Sequence, residues 1–207
     1  ISISGGTSSN YGIYAYNSNG LQIMNNSISI TSGGSLSACV RQLYPGTNSV
    51  GQKYINNIFY ATTGYLIEIQ DSSMVDVCDY NNYYSTSSRF AVWHNNTRNT
   101  LSVLQTHSLK DVHSISVDPM FNSSSDLHTS SSYLNAKGVV LNNVLTDFDN
   151  ELRDPSTPDI GADEFYLPLN DAAVLSLTTS DACEGTQIVK AEFRNDGIDS
   201  LTSVVIN

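Results

Sequence analysis

Tyr54-Ile55-Asn56-Asn57-Ile58-Phe59 places an Asn-Asn pair after apolar or aromatic residues and follows it with one more residue and an apolar one. The same order recurs at Ile23-Met24-Asn25-Asn26-Ser27-Ile28 and at Asp79-Tyr80-Asn81-Asn82-Tyr83-Tyr84, with the second asparagines 31 and 25 residues apart. That interval is too long for a hairpin and fits one full turn of a solenoid whose coils are short strands joined by bends. Asn suits such a bend because its side chain bonds nearby backbone and tolerates the left-handed region, and asparagines stacked from coil to coil bond one another. Around the first bend, Leu21, Ile23, Ile28 and Ile30 alternate with polar residues as half-buried strands do.

Composition agrees with an all-β chain. Of 207 residues, 40% are hydrophobic and only 14% charged, which argues for a folded core despite a net charge of −11. The polar content is largely Ser, Asn and Thr, which favour turns and strands over helix interiors. Nine basic residues against twenty acids leave no electrostatic footprint for nucleic acid. No apolar run spans a bilayer, so membrane insertion is not expected, and ISISGG is not a signal peptide. With no initiator Met and an alternating SVVIN at the end, the sequence reads as a fragment of a longer protein. Cys39, Cys78 and Cys183 have no metal-ligand spacing; three separate thiols, or a Cys39–Cys78 bridge plus one thiol, are the two arrangements.

The repeated bends, with Tyr11-Gly12-Ile13-Tyr14 opening the first coil, resemble right-handed parallel β-helix proteins of the pectin lyase-like superfamily. Downstream, His113-Ser114-Ile115, Asp118-Pro119, Phe121, Asp126-Leu127-His128 and Gly138 are similar in order to the end of secreted bacterial β-helices. Asp147-Phe148-Asp149-Asn150-Glu151-Leu152-Arg153 and Asp159-Ile160-Gly161-Ala162-Asp163-Glu164-Phe165 resemble their closing motif, with Asn150 where Gly is usual. The resemblance covers roughly residues 1–166 and implies an architecture rather than an activity.

The fold expected is therefore all-β: a right-handed parallel β-helix with closing segment over 1–166, a linker at 167–170 and a truncated β segment over 171–207. Thr100 to His107, with Leu101 and Leu104 after a Thr cap, predicts a short helix decorating the shaft. Ala173 to Leu177, Gln187 to Phe193 and the turn at Arg194-Asn195-Asp196-Gly197 resemble the first strands of an immunoglobulin-like module, which needs about 100 residues. At about 4.8 Å per coil, roughly five to seven coils give a shaft of about 25–35 Å.

Chemistry-bearing residues are sparse. Among the first 99 residues the acids are Glu68, Asp71, Asp76 and Asp79 and the bases Arg41, Lys53, Arg89 and Arg98. A polysaccharide lyase needs a base beside a cation, and a glycoside hydrolase two facing carboxylates. Asp76 and Asp79, three apart in a strand, make a poor facing pair. Eight acids crowd between Asp147 and Asp171 with Arg153 as the sole base. Asp147, Asp149, Asp159, Asp163 and Glu164 form a candidate Ca²⁺ ligand set; alternatively they close the final turn, with Arg153 paired to Asp149 or Glu164. Tyr80, Tyr83, Tyr84, Phe90, Trp93 and His94, beside four asparagines, suggest either a stacked core or a sugar-binding surface. Tyr83, Trp93 and His94 are the candidate carbohydrate contacts, while His113 and His128 are expected to bond locally. The function expected is a non-catalytic stalk or glycan-binding element of a secreted or cell-surface bacterial protein, its partners a polysaccharide or surface glycan and the flanking domains. The alternative is the tail of a lyase or hydrolase whose active coils lie upstream.

Overall fold

The computed structural model describes residues 1–43, 50–167, 172–179, 189–195, 197 and 199–203, and the chain divides into two compact units, Ile1–Phe165 and Tyr166–Asn207. In the first unit, strands follow one another around three parallel sheets. The first sheet holds β1 (Ser2–Ile3), β4 (Ser27–Ile30), β7 (Ile58–Ala61) and β10 (Asn82–Ser85). The second holds β2 (Tyr11–Tyr16), β5 (Ala38–Leu43), β8 (Tyr65–Ile69) and β11 (Ala91–Trp93), and the third β3 (Gln22–Met24), β6 (Gln52–Ile55) and β9 (Val75–Asp79). Strands β2-β3-β4, β5-β6-β7 and β8-β9-β10 thus form about three turns of a parallel β-solenoid. The coils number fewer than the roughly five to seven expected, because the chain beyond residue 98 mostly stops coiling.

Inward-facing residues stack in rows, since register fixes which side chains meet. One row is Ile28–Phe59–Tyr83 and another Gln42–Ile69–Trp93. Together with Val40, Ile67 and Leu66 they fill a core closed at residue level to solvent. Cys39 and Cys78 are free, buried thiols, so the bridged alternative is not formed; Cys183 lies outside the described residues.

The corners between the third and first sheets hold the asparagines. Asn25, Asn56 and Tyr80 take positive φ of 50°, 56° and 57°, and the next residue of each coil forms a ladder. Asn57 Oδ1 accepts from the Asn26 amide at 3.1 Å, and Asn81 Oδ1 from the Asn57 amide at 2.9 Å. Asn57 Nδ2 donates to Ile23 O, Asn81 Nδ2 to Tyr54 O, and the Asn81 amide to Ser114 Oγ. The third corner is thus Tyr80-Asn81 rather than Asn81-Asn82, one residue earlier than the sequence repeat suggests. Asn82 instead begins β10 opposite Ile58.

After β11, His94 and Asn95, both at positive φ, turn the chain into β12 (Asn96–Arg98), antiparallel to β11, as a two-residue hairpin requires. The α1 helix (Leu101–Ser108) follows, capped by Thr100 Oγ1 accepting from the Val103 amide. Ile115 then adds a partial fourth rung beneath Asn82. From there residues 116–165 run beside the first sheet and its corner, as a lateral segment rather than an end plug. Asn82, Tyr83, Tyr60, Asn56, Asn25 and Ser27 all contact it. A second apolar cluster of Ile58, Leu134 and Ile160 seals the seam. Gly161, at φ +113°, is required there because a Cβ would lie 2.5 Å from Ile58 Cδ1.

In the second unit, β13 (Ala172–Thr179) and β14 (Val189–Asn195) pair with each other as an antiparallel hairpin, with an irregularity between Val174 and Ser176. The residues 168–170 of the expected linker lie outside those described. No described helix is long and apolar enough to cross a membrane.

Candidate functional site

Sheet parity decides the fate of the aromatic cluster. Tyr83 and Trp93 fall in inward rows and are 0% and 2% exposed, so a sugar ring cannot stack on either. Tyr83 is held by polar partners inside the solenoid: its hydroxyl donates to Asp111 Oδ1 at 3.1 Å and lies 3.3 Å from Cys78 Sγ. Asp111 also accepts from Ser114 Oγ at 2.7 Å, and burial pushes its carboxyl up to about 6. His94 is on the surface at the hairpin turn, 3.9 Å from Asp71 and apart from the other two.

The exposed aromatic face is on β2. Tyr14 and Tyr16 are 51% and 57% exposed, two residues apart and therefore on one side of the strand, about 7 Å apart along it. The Tyr14 ring packs 5.4 Å from that of Tyr11. Arg41 of β5, in register with Tyr14, lies 4.9 Å over the Tyr11 ring, donates to the Tyr11 hydroxyl and pairs with Glu68 Oε2 at 3.1 Å. Cation–π contact and the ion pair hold the guanidinium between the Tyr11 ring and Glu68. Tyr11 and Tyr14 were legible only as coil formers and Tyr16 not at all, because strand parity, not residue type, exposes Tyr14 and Tyr16.

The acidic segment separates into two groups. Asp147, Asp159 and Glu164 are buried and already engaged. Asp147 Oδ1 accepts from the Asp149 and Glu151 amides and Oδ2 from that of Glu164. Asp159 accepts from the Ala136 and Phe165 amides, and burial lifts its carboxyl to about 6. Glu164 accepts from the Asp154 and Asp159 amides and pairs with Arg153 at 3.2 Å, while Arg153 also donates to Gly161 O and Ala162 O. These three carboxylates close turns and are not arranged as a joint cation cage.

Asp149 and Asp163 differ. Asp149 Oδ2 lies 2.7 Å from His128 Nε2, and Asp163 Oδ2 accepts from the Thr129 amide at 3.4 Å. The donor atoms of His128, Asp149 and Asp163 all lie within 4.8 Å of one another. His128 Nδ1 bonds Asp126 Oδ1; those hydrogen bonds, first to Asp126 and then to Asp149, raise the imidazole to about 9. His128 was expected to bond locally, and its Asp126 contact does; the Asp149 contact spans 21 residues. Next to this group lies a cavity of about 190 Å³ lined by Leu127, His128, Phe148, Ala162 and Asp163, among others. His113, in turn, stacks 4.5 Å from Tyr80 and bonds Asp79 Oδ2 at 2.7 Å, extending the corner column.

No family model, curated protein or solved structure matches this chain.

Proposed function

We propose that this chain is a non-catalytic, pectin lyase-like β-helical element of a secreted or cell-surface protein, acting as a stalk that contacts glycan through the β2 face. The hairpin unit is read as the first strands of an immunoglobulin-like module. The observation that carries the binding reading is the pair Tyr14 and Tyr16, exposed on one strand face beside Tyr11 and Arg41. Aromatic faces accept the C–H face of a sugar, and the Arg41–Glu68 pair offers donors and acceptors to its hydroxyls. A net charge of −11 repels polyanions and favours a neutral polymer. The non-catalytic part rests on the coil charges: Arg41 is tied to Glu68, Arg89 lies 5.1 Å over the Tyr65 ring, and Asp79 holds His113.

The test is retention of the chain on insoluble neutral polysaccharides, with reducing ends and ultraviolet absorbance of unsaturated products recorded in the same samples. Retention without products, lost on Tyr14→Ala/Tyr16→Ala, is the expected result. Product formation would replace this reading with the lyase or hydrolase alternative, and retention by the double variant would move the binding face elsewhere.

A further inference from the structure

We propose that His128, Asp149 and Asp163 form a binding site for a borderline divalent cation of the Zn²⁺ class, positioned by Asp126. The three donors come from separate turns of the lateral segment, so no single local motif brings them together. One imidazole nitrogen with two carboxylates is a donor set for Zn²⁺-like ions, whereas Ca²⁺ and Mg²⁺ take oxygen. A Zn²⁺ ion with bonds of about 2.1 Å draws its donors to about 3.4 Å from one another. From a spread within 4.8 Å the wider separations close by at most about 1.4 Å, while the 2.7 Å His128–Asp149 pair opens to admit the ion; the half-exposed side chains of His128 and Asp149 have room to turn.

The tautomer is set by the surroundings. Asp126 Oδ1 accepts from the Nδ1–H of His128, which directs Nε2 toward Asp149, the carboxylate-backed arrangement that orients metal-binding histidines. On binding, the proton shared by Nε2 and Asp149 leaves to solvent and the cation takes its place. His128 and Asp163 also line the neighbouring cavity, so water or a small anionic group there can complete the coordination. The buried acids Asp147, Asp159 and Glu164 are spent on amides and Arg153, and Asp149 and Asp163 are the carboxylates grouped with His128.

The experiment is titration of the chelator-treated chain, in a Cys183→Ser background, with Co²⁺, Zn²⁺ and Ca²⁺. Visible absorption of Co²⁺ and the melting temperature are read together. One equivalent of Co²⁺ is expected to give a d–d band that Zn²⁺ displaces, with a rise in melting temperature. The band disappears in His128→Gln and Asp163→Asn, and Asp126→Asn weakens binding about 10–100-fold without changing its stoichiometry. Absence of a Co²⁺ band in the unsubstituted site up to millimolar metal would overturn the assignment and leave His128 as an ionic clamp. So would a band that survives His128→Gln, or saturation by Ca²⁺ that Zn²⁺ does not displace.

Discussion

At the coil corners between the third and first sheets, the backbone is met by one uncharged device, an amide at Asn26, Asn57 and Asn81 passed from rung to rung and continued by Ser114. In the lateral segment carboxylates serve the turns: Asp147, Asp154, Asp159 and Glu164 all accept backbone amides from within the segment itself. An amide both donates and accepts, so it repeats indefinitely along a solenoid at no electrostatic cost. A carboxylate only accepts, so it suits a turn with several orphan N–H groups, and burial ties its stability to pH and to a partner such as Arg153.

The contrast breaks most sharply at Arg153. Arg153→Met leaves Glu164 buried without its cation and is expected to cost about 3–5 kcal/mol in chemical denaturation, with the loss confined to the lateral segment. Asn57→Ala removes two donated and two accepted bonds at the middle rung and should cost about 3–4 kcal/mol. Asn26→Ala, on the outer described rung, should cost about 1 kcal/mol, and equal costs at both positions would argue against a ladder.

The coils also carry one pH-dependent group at their base. Asp111, at the base of the coils, has its carboxyl raised to about 6 by burial, against about 3.9 in an unfolded chain. Its contribution is full below the unfolded value and is lost as pH rises through 6, because the folded state resists ionisation. The stability difference between wild type and Asp111→Asn should therefore move by roughly 2–3 kcal/mol in favour of the variant between pH 4 and 8. A pH-independent difference would mean the Asp111 carboxyl is not held in this way. Least of all, Tyr14→Ala/Tyr16→Ala should leave stability within about 0.5 kcal/mol, since both side chains are exposed.

The repeated half of this comparison was legible and the other half was not. The asparagine corners announce themselves because few residues accept positive φ, and the solenoid follows from their interval. The register slip at the third corner hid behind Tyr80, a residue type that gives no sign of a left-handed corner, here stacked on His113. The slip has a consequence for the site: a one-residue shift exchanges the faces of a strand. Aligning Asn82 with Asn57 puts Tyr83 beside Ile58 on the opposite sheet face, which packs against the lateral segment, whereas the true register puts it beside Phe59 in the solenoid core. The metal-ligating group was half legible. Asp149 and Asp163 belong to the acidic run, but His128 meets them through loops without periodicity. Asp126 and His128, two apart, were the one available signal, since residues at that spacing share a strand face.

Hydrogen exchange by mass spectrometry on wild type and Arg153→Met tests most directly whether the two regions are held independently. The prediction is that the Asp154, Asp159 and Glu164 amides lose protection in the variant while those of Asn26, Asn57 and Ile58 keep it. Loss of protection in both sets together would show that the coils and the lateral segment unfold as one cooperative unit, contradicting the division drawn here.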